Sequence, residues 1–267
     1  MISFKPLLPT DEIHLWILPQ GKDSLEEIFD RGAFLLSDVE KMRMNTFIRP
    51  ISARNFVLRR VLLKQVLSHY TGVSPQNLIF TTRSSGKPVL EFPEAPGFCF
   101  NLSHETSVAI LAVAHGDGLG IDLEAIRRVN TAHRIAMCYF SEEERRQLEL
   151  LGADAGERAL ELWALKESVV KALGETVWDG LRKVSLGVTP PNITWNTLPP
   201  RGKEDDWALM LGRLRATHVV ALALNAAGAR GLSQTCRIHT LGENLDAADD
   251  VKFESFSGQS KSELAPL

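Results

Sequence analysis

The stretch GIDLE, residues 120–124, places two acids between apolar side chains. Residues two apart in a strand point to the same face, so Asp122 and Glu124 share one face while Ile121 and Leu123 fill the core behind them. Adjacent carboxylates in a half-buried strand repel each other unless a cation lies between them. Their hard oxygen atoms suit Mg2+, so the stretch predicts a magnesium site. On spacing alone, a strand edge with solvated acids remains the alternative.

The stretch LWALKESVVKALG, residues 162–174, predicts a helix that adds a third acid. Trp163, Glu167 and Lys171 recur at helical spacing and form one stripe. A separate apolar stripe is expected to face the core and consists of Leu162, Leu165, Val169 and Leu173. A Glu followed by Lys at this spacing is often only a surface ion pair. Beside Trp163 and Lys166, the pair indicates instead that Glu167 completes a metal's carboxylate set and that lysines neutralise phosphate oxygens.

The rest of the chain predicts an α+β protein with two similar halves. In the first half, strands are expected over 13–19, 78–82, 98–114 and 119–124, and helices over 37–48 and 51–72. The polar residues NLSHE, 101–105, are expected to form a hinge that divides 98–114 into two strands. In the second half, helices are expected over 140–151 and 157–174, and strands over 183–188, 207–214 and 217–225. These elements predict an N-terminal lobe over 1–115 and a C-terminal lobe with the metal site over 116–242. Residues 243–267 are polar and aperiodic and are expected to form a disordered tail.

The composition limits the classes of partner. The formal net charge of the 267 residues is -3, which favours neither nucleic acid nor an anionic membrane, so an anionic ligand must be held by local cations. Cys99, Cys138 and Cys236 show no C-x-x-C spacing, which indicates a reducing compartment. The first residues lack the pattern of a signal peptide, and no apolar run reaches the ~18 residues that a membrane span needs. A cytoplasmic protein is therefore expected.

Five motifs follow one another along the chain: GKP (86–88), FNLSH (100–104), GIDLE (120–124), FSEEE (140–144) and LWALKESVVKALG (162–174). With these motifs the sequence resembles the 4'-phosphopantetheinyl transferases of the surfactin-type (Sfp-like) class over roughly residues 35–225. The chain length resembles that of the two-lobed monomeric class rather than that of the half-length trimeric class.

The resemblance implies two pseudo-symmetric α+β lobes, each a small sheet packed on a long helix, with coenzyme A (CoA) bound in the cleft between them. Phosphopantetheine would pass from CoA to a serine of an apo carrier protein, as in holo-acyl-carrier-protein synthesis, and 3',5'-ADP would leave. The carrier would serve fatty-acid, polyketide or nonribosomal-peptide synthesis. No covalent enzyme intermediate is required.

The resemblance also implies roles for individual residues. Mg2+ would be held by Asp122, Glu124 and Glu167, and Glu167 would accept the serine proton. Asp122, Glu167 and Lys171 are the implied catalytic residues, with Glu144 near the metal. The residues implied to contact CoA are Arg43, Arg54, Lys87, Ser103, His104, Lys166 and Lys171.

One departure from the family pattern and two rival functions remain. Glu40 stands where a basic residue is expected, which leaves Arg43 as the basic partner in that region. The first rival is a catalytically silent module that binds CoA or a carrier protein. The second, another Mg2+-dependent phosphotransferase, is disfavoured because the chain has no G-x-x-x-x-G-K-[ST] loop.

Overall fold

The computed structural model describes residues 8–19, 32–95, 97–106, 108–197, 206–225, 235–240 and 251–256. It confirms an α+β protein. The helices are α1 (Asp38–Asn45), α2 (Pro50–Thr71), α3 (Val129–Tyr139), α4 (Glu142–Leu150), α5 (Ala155–Leu173) and α6 (Val177–Gly180). The first six strands are β1 (Glu12–Pro19), β2 (Ile79–Thr82), β3 (Pro88–Phe92), β4 (Phe98–Glu105), β5 (Val108–His115) and β6 (Gly118–Ala125). The last six are β7 (Val184–Val188), β8 (Pro191–Trp195), β9 (Trp207–Leu214), β10 (His218–Asn225), β11 (Thr235–Thr240) and β12 (Val251–Phe256).

The strands form two four-stranded sheets and two hairpins. The first sheet has the order β11-β1-β5-β4 and the second has the order β12-β9-β10-β6. Strands β2 and β3 form one hairpin, and β7 and β8 form the other. The main helices and strands predicted from the sequence are present, with ends that differ by a few residues.

Each long helix packs on a sheet of its own. Leu58, Leu62 and Leu67 of α2 join one core cluster with alternate residues of β5, and residues of α5 join another with alternate residues of β10. A third cluster contains Ile13 of β1 and Ile121 of β6, so the two sheets share a core. The third cluster lies on the faces of the sheets that the two helices leave uncovered.

The helix ends follow local signals in the sequence. Ser37 caps α1 through a capping box with Glu40. Both long helices end at a glycine in the left-handed region, Gly72 with φ 67° and Gly174 with φ 71°. Gly120, the glycine of GIDLE, is required for a different reason. A Cβ at this position would lie 1.8 Å from the backbone oxygen of Ser168. Gly120 therefore allows α5 to approach β6 closely.

The polar residues 101–105 do not form the predicted hinge. They continue β4 to Glu105, and β5 begins at Val108. Their side chains instead join the two sheets. Asn101 Oδ1 accepts a hydrogen bond from the Ile121 amide at 2.9 Å, and Ser103 Oγ accepts one from the Leu123 amide at 3.2 Å. These contacts form a side-chain seam between β4 and β6, where the sheets have no backbone ladder.

Two strands of the C-terminal region depart from the predicted boundaries. Strand β11 belongs by sequence to the predicted C-terminal lobe, but it pairs in parallel with β1 of the first sheet. Strand β12 pairs antiparallel with β9, so the prediction of a disordered tail was wrong for residues 251–256. The other residues of that tail, 243–250 and 257–267, lie outside the described residues.

Candidate active site

Asp122 stands at the centre of the candidate site. It is buried in β6, 3% exposed, and its Oδ1 accepts hydrogen bonds from Ser103 Oγ at 3.2 Å and from Lys171 Nζ at 2.5 Å. Its Oδ2 is buried and has no hydrogen-bond partner among the described residues. An ionised carboxylate oxygen in that position favours a further cation or hydrogen-bond donor.

Glu124 lies on the same face of β6, as the strand alternation predicts. Its two oxygens have different partners: Oε1 accepts from Trp163 Nε1 at 2.8 Å, and Oε2 accepts from Arg128 Nη1 at 2.5 Å. Arg128 follows the strand in a 3-10 turn over Ile126–Arg128. The indole and the guanidinium together fix the orientation of this carboxylate.

The helix α5 brings Trp163, Glu167 and Lys171 to β6, as the predicted stripe requires. Lys171 Nζ lies between two acids, 2.5 Å from Asp122 Oδ1 and 3.4 Å from Glu167 Oε2. Because Gly120 lets the helix approach the strand, these three carboxylates and one ammonium share a small volume.

Burial and neighbouring acids disfavour the ionised forms of Glu124 and Glu167. Burial raises the pKa of Glu124 to about 7, with a further contribution from the charge of Asp122. Burial and Asp122 likewise raise the pKa of Glu167. For Lys171, the neighbouring acids outweigh the opposing effect of burial and raise its pKa, so it stays protonated. A cation would relieve the remaining repulsion between the carboxylates.

Ser103 and His104 lie beside this cluster at the end of β4. Ser103 Oγ also lies 3.4 Å from Lys171 Nζ. Partial removal from water, together with the charges of Arg59 and Lys171, lowers the pKa of His104 to about 4. His104 is therefore neutral near pH 7 and can act as a hydrogen-bond donor or acceptor, and a bound anion would favour its protonation.

The donor set suits a hard divalent cation, since it consists of three carboxylates and one of them has an unpartnered buried oxygen. Among the described residues, however, no three His, Cys, Asp or Glu side chains are arranged to coordinate one metal ion. Lys171 instead engages Oδ1 of Asp122, and Arg128 and Trp163 engage the two oxygens of Glu124. The three carboxylates are thus near one another, as predicted, without forming a metal cage in this state.

Lys166 does not join the site, so its assignment to the CoA contacts was wrong. Its side chain is fully buried on another face of α5, where Nζ donates to the backbone oxygens of Val184 at 2.6 Å and Leu181 at 3.3 Å. Nζ also pairs with Glu144 Oε1 at 3.0 Å. Glu144, the last acid of FSEEE, caps α4 and accepts from the Leu186 amide, so this pair fastens α4 and β7 to α5.

Lys87 is tied to the protein instead of standing on an exposed turn. Its Nζ donates to the backbone oxygens of Leu119 and Lys171, each at 2.7 Å. Burial lowers the pKa of Lys87 to about 8. The turn GKP is thereby joined to β6 and to the end of α5, and the predicted contact of Lys87 with CoA stays a prediction.

The two arginines predicted from the N-terminal region lie on α1 and α2. Arg43 is exposed on α1, with its guanidinium 5.5 Å from the centre of the Phe47 ring. Arg54 lies in the first turns of α2 and lines a separate cavity with Met44 and Phe47. No described contact joins either arginine to the three carboxylates, and their predicted contacts with CoA stay predictions. Glu40, the departure from the family pattern, pairs with Lys64 at 3.0 Å and with Arg60 at 3.4 Å.

Sequence reasoning missed two basic residues near the site. Arg128 follows Glu124 at the spacing of a helical ion pair, but the intervening chain passes from a strand into a turn, so the spacing carried no signal. Arg59 lies on α2, and its charge acts on His104 across the site. Burial and the neighbouring Arg60 lower the pKa of Arg59 to about 10. The RR pair at 59–60 is visible in the sequence, but only the fold separates Arg59 from the Arg60–Glu40 ion pair.

Within the described residues, no helix has both the length and the apolar character that crossing a membrane requires.

Comparison with known proteins agrees with the site. Residues 118–223 match the family model of the 4'-phosphopantetheinyl transferase superfamily, and residues 23–116 match that of the N-terminal region of 4'-phosphopantetheinyl transferases. The 4'-phosphopantetheinyl transferase HetI of Nostoc sp. is 34% identical over 186 residues, which cover 68% of this chain and 77% of the relative. The 4'-phosphopantetheinyl transferase Sfp of Bacillus subtilis is 28% identical over 56% of this chain and 65% of the relative. The human L-aminoadipate-semialdehyde dehydrogenase-phosphopantetheinyl transferase is 23% identical over 69% of this chain and 65% of the relative. Two family models in succession and a relative matched over most of its length show that this chain belongs to the 4'-phosphopantetheinyl transferase superfamily.

Proposed function

We propose that the protein transfers 4'-phosphopantetheine from CoA to a serine of an apo carrier protein and releases 3',5'-ADP. The observation that carries this proposal is the cluster of Asp122, Glu124 and Glu167 around Lys171, with one buried oxygen of Asp122 unpartnered. In the reaction a bond forms between the serine oxygen and the β-phosphorus of CoA. The bond from that phosphorus to the bridging oxygen of the diphosphate breaks, and that oxygen leaves with 3',5'-ADP.

Asp122, Glu124 and Glu167 would hold Mg2+, whose charge would stabilise the diphosphate as it gains negative charge. In this proposal Lys171 contributes a second positive charge at the diphosphate, because its pKa is raised and it stays protonated. Glu167 accepts the serine proton. The raised pKa of Glu167 makes it a stronger base than an ordinary carboxylate, once it is ionised.

Neighbouring side chains would hold these groups in place. Ser103 holds Asp122, and Trp163 holds Glu124. His104 and Arg59 border the cluster from β4 and α2, where they would face the phosphates of CoA. These positive and polar groups attract the anionic CoA locally, although the net charge of the chain is -3.

The test is to incubate the protein with CoA, Mg2+ and a panel of apo carriers from fatty-acid, polyketide and nonribosomal-peptide synthesis. Mass spectrometry should show a gain of one phosphopantetheine on at least one carrier. That gain should disappear with a chelator and with Asp122→Ala. If every carrier stays unmodified while the protein still binds CoA, the chain is the silent binding module instead.

A further inference from the structure

The guanidinium of Arg128 occupies one side of the carboxylate that a divalent cation would share. Arg128 Nη1 donates to Glu124 Oε2 at 2.5 Å, and Trp163 Nε1 donates to Oε1 at 2.8 Å. Both oxygens are therefore engaged, and the Glu124 side chain is 6% exposed. A metal ion can bind Oε2 only after Arg128 has moved away from it.

A second carboxylate lies next to the same guanidinium. Arg128 Nη1 is 3.5 Å from Oε1 of Glu105, the last residue of β4. The other oxygen of Glu105 accepts from Arg127 Nη2 at 3.1 Å. Because the Arg128 side chain is 41% exposed, it can turn from Glu124 toward Glu105 without disturbing the core. Arg128 thus stands between an acid of the site and an acid at its edge.

The charge of Arg128 acts on more than one acid of the site. It favours the ionised forms of both Glu124 and Glu167, against the effects of burial and of Asp122. Together with Lys171, it partly neutralises the buried carboxylates of Asp122 and Glu124 and the partly buried one of Glu167. A divalent cation that binds these acids takes over the same role and competes with the guanidinium.

We propose that Arg128 is an internal counter-ion, which pairs with Glu124 in the absence of a divalent cation and transfers to Glu105 when one binds. This proposal rests on the magnesium site of the proposed function. It makes the affinity for the metal lower than the three carboxylates alone would give, so that retention of the ion depends on the additional oxygens of the diphosphate. It also links occupancy of the site to the turn 126–128 that precedes α3.

The test measures binding of Mn2+ to the full chain by electron paramagnetic resonance, without CoA or carrier. Arg128→Gln removes the competing cation and should lower the dissociation constant for Mn2+ by roughly threefold or more. Arg128→Lys keeps the charge and should stay nearer the wild type. Arg146→Gln is the matched control, because Arg146 is 70% exposed and pairs with Glu143, which takes no part in the proposed exchange.

A second variant should change the affinity in the opposite direction. Glu105→Gln removes the acid that receives Arg128, so the guanidinium stays with Glu124 and Mn2+ should bind more weakly. In the Arg128→Gln background, Glu105→Gln should have little further effect, since no guanidinium remains to be received. A general loss of structure would not raise the Mn2+ affinity in one variant and lower it in the other, nor make the effect of Glu105→Gln depend on Arg128. Thermal unfolding of each variant checks that it is folded.

The outcomes separate this proposal from the function on which it rests. If Arg128→Gln binds Mn2+ no more tightly than Arg146→Gln does, Arg128 is not a counter-ion. If Arg128→Gln does not fold, Glu105→Gln decides instead, and unweakened Mn2+ binding there overturns the proposal. If neither the wild type nor any variant binds Mn2+, the metal assignment itself is wrong and the counter-ion role falls with it.

Discussion

Lys171 pairs with two acids unequally, and this difference assigns them different roles. Its Nζ lies 2.5 Å from Asp122 Oδ1 but 3.4 Å from Glu167 Oε2. Lys171 is therefore engaged mainly by Asp122, and its contact with Glu167 is the weaker ion pair. The carboxylate of Glu167 is therefore more available to accept a proton. Burial and the charge of Asp122 also raise its pKa.

Glu167→Gln should abolish most of the transfer while leaving the fold intact. Glutamine has nearly the same size but cannot accept the serine proton or bind a metal as a carboxylate does. The turnover number should fall by roughly 10²–10⁴-fold. The melting temperature should stay unchanged or rise, because one of three neighbouring carboxylates is gone. Transfer assays on an apo carrier and thermal unfolding check this. Unchanged turnover would contradict both roles of Glu167.

Trp163→Phe should shift the pH dependence of the reaction. The indole N–H stabilises ionised Glu124, so its loss should raise the pKa of Glu124 above its value of about 7. A proton on Glu124 excludes a cation, so activity is present above that pKa and is lost as the pH falls through it. The acidic limb of the kcat/KM profile should therefore move to higher pH. Trp178→Phe is the control, because Trp178 is exposed and packs against Tyr139.

At the scale of elements, the sequence pattern predicted α5 and the stripe that carries Glu167, but it did not predict the environment of Lys166. Helical spacing gives the relative directions of side chains on one helix. It does not show which elements cover each direction. The face of Lys166 is covered by α4 and β7, which precede and follow α5 in the chain, so its burial depends on contacts that periodicity cannot reveal. The hinge prediction at 101–105 failed for a similar reason, since the polar side chains of β4 bond to β6.

Lys166→Met should lower stability without raising the Michaelis constant for CoA. Methionine fills the space but leaves Glu144 without its cation and the oxygens of Leu181 and Val184 without their donor. Loss of one partner of a buried pair costs about 3–5 kcal/mol in the free energy of unfolding. Chemical denaturation measures that loss, and steady-state kinetics at a temperature where the variant is folded measures the Michaelis constant. A raised Michaelis constant with full stability would instead return Lys166 to the CoA contacts.

For the whole molecule, composition and motifs predicted the α+β class and the region of the site. They did not predict the order of the strands in the sheets. The prediction of two halves could not place β11 beside β1. A parallel pairing between strands more than two hundred residues apart leaves no local signal in the sequence. The prediction of a tail failed at β12 because a six-residue strand, VKFESF, does not stand out within an otherwise polar segment. The net charge, by contrast, leads directly to a prediction about ligand binding.

The Michaelis constant for CoA should rise with ionic strength. A chain of net charge -3 holds a polyanion through local cations, and salt screens those contacts over the ~10 Å of the Debye length at 0.1 M. Partly buried groups such as Lys171 are screened less than exposed ones, so a moderate slope is expected. Dephospho-CoA, which lacks the 3'-phosphate, should give a shallower slope in the same titration. Equal slopes for the two compounds would mean that no cation of the protein contacts the 3'-phosphate.

Strand β11 also determines how this protein can be shortened. By pairing with β1 it occupies a row of backbone donors and acceptors that would otherwise be open, and its His239 ring stacks on Trp16 with the ring centres 4.4 Å apart. A fragment that stops at β10 would keep every residue of the candidate site and still expose an uncapped edge strand beside a bare indole. Such an edge recruits strands from other molecules. Self-association of the shortened protein would then arise from the edge of the first sheet opposite β4, the strand that carries Ser103 and His104. A charged residue or proline placed on the outer side of β1 would be the remedy.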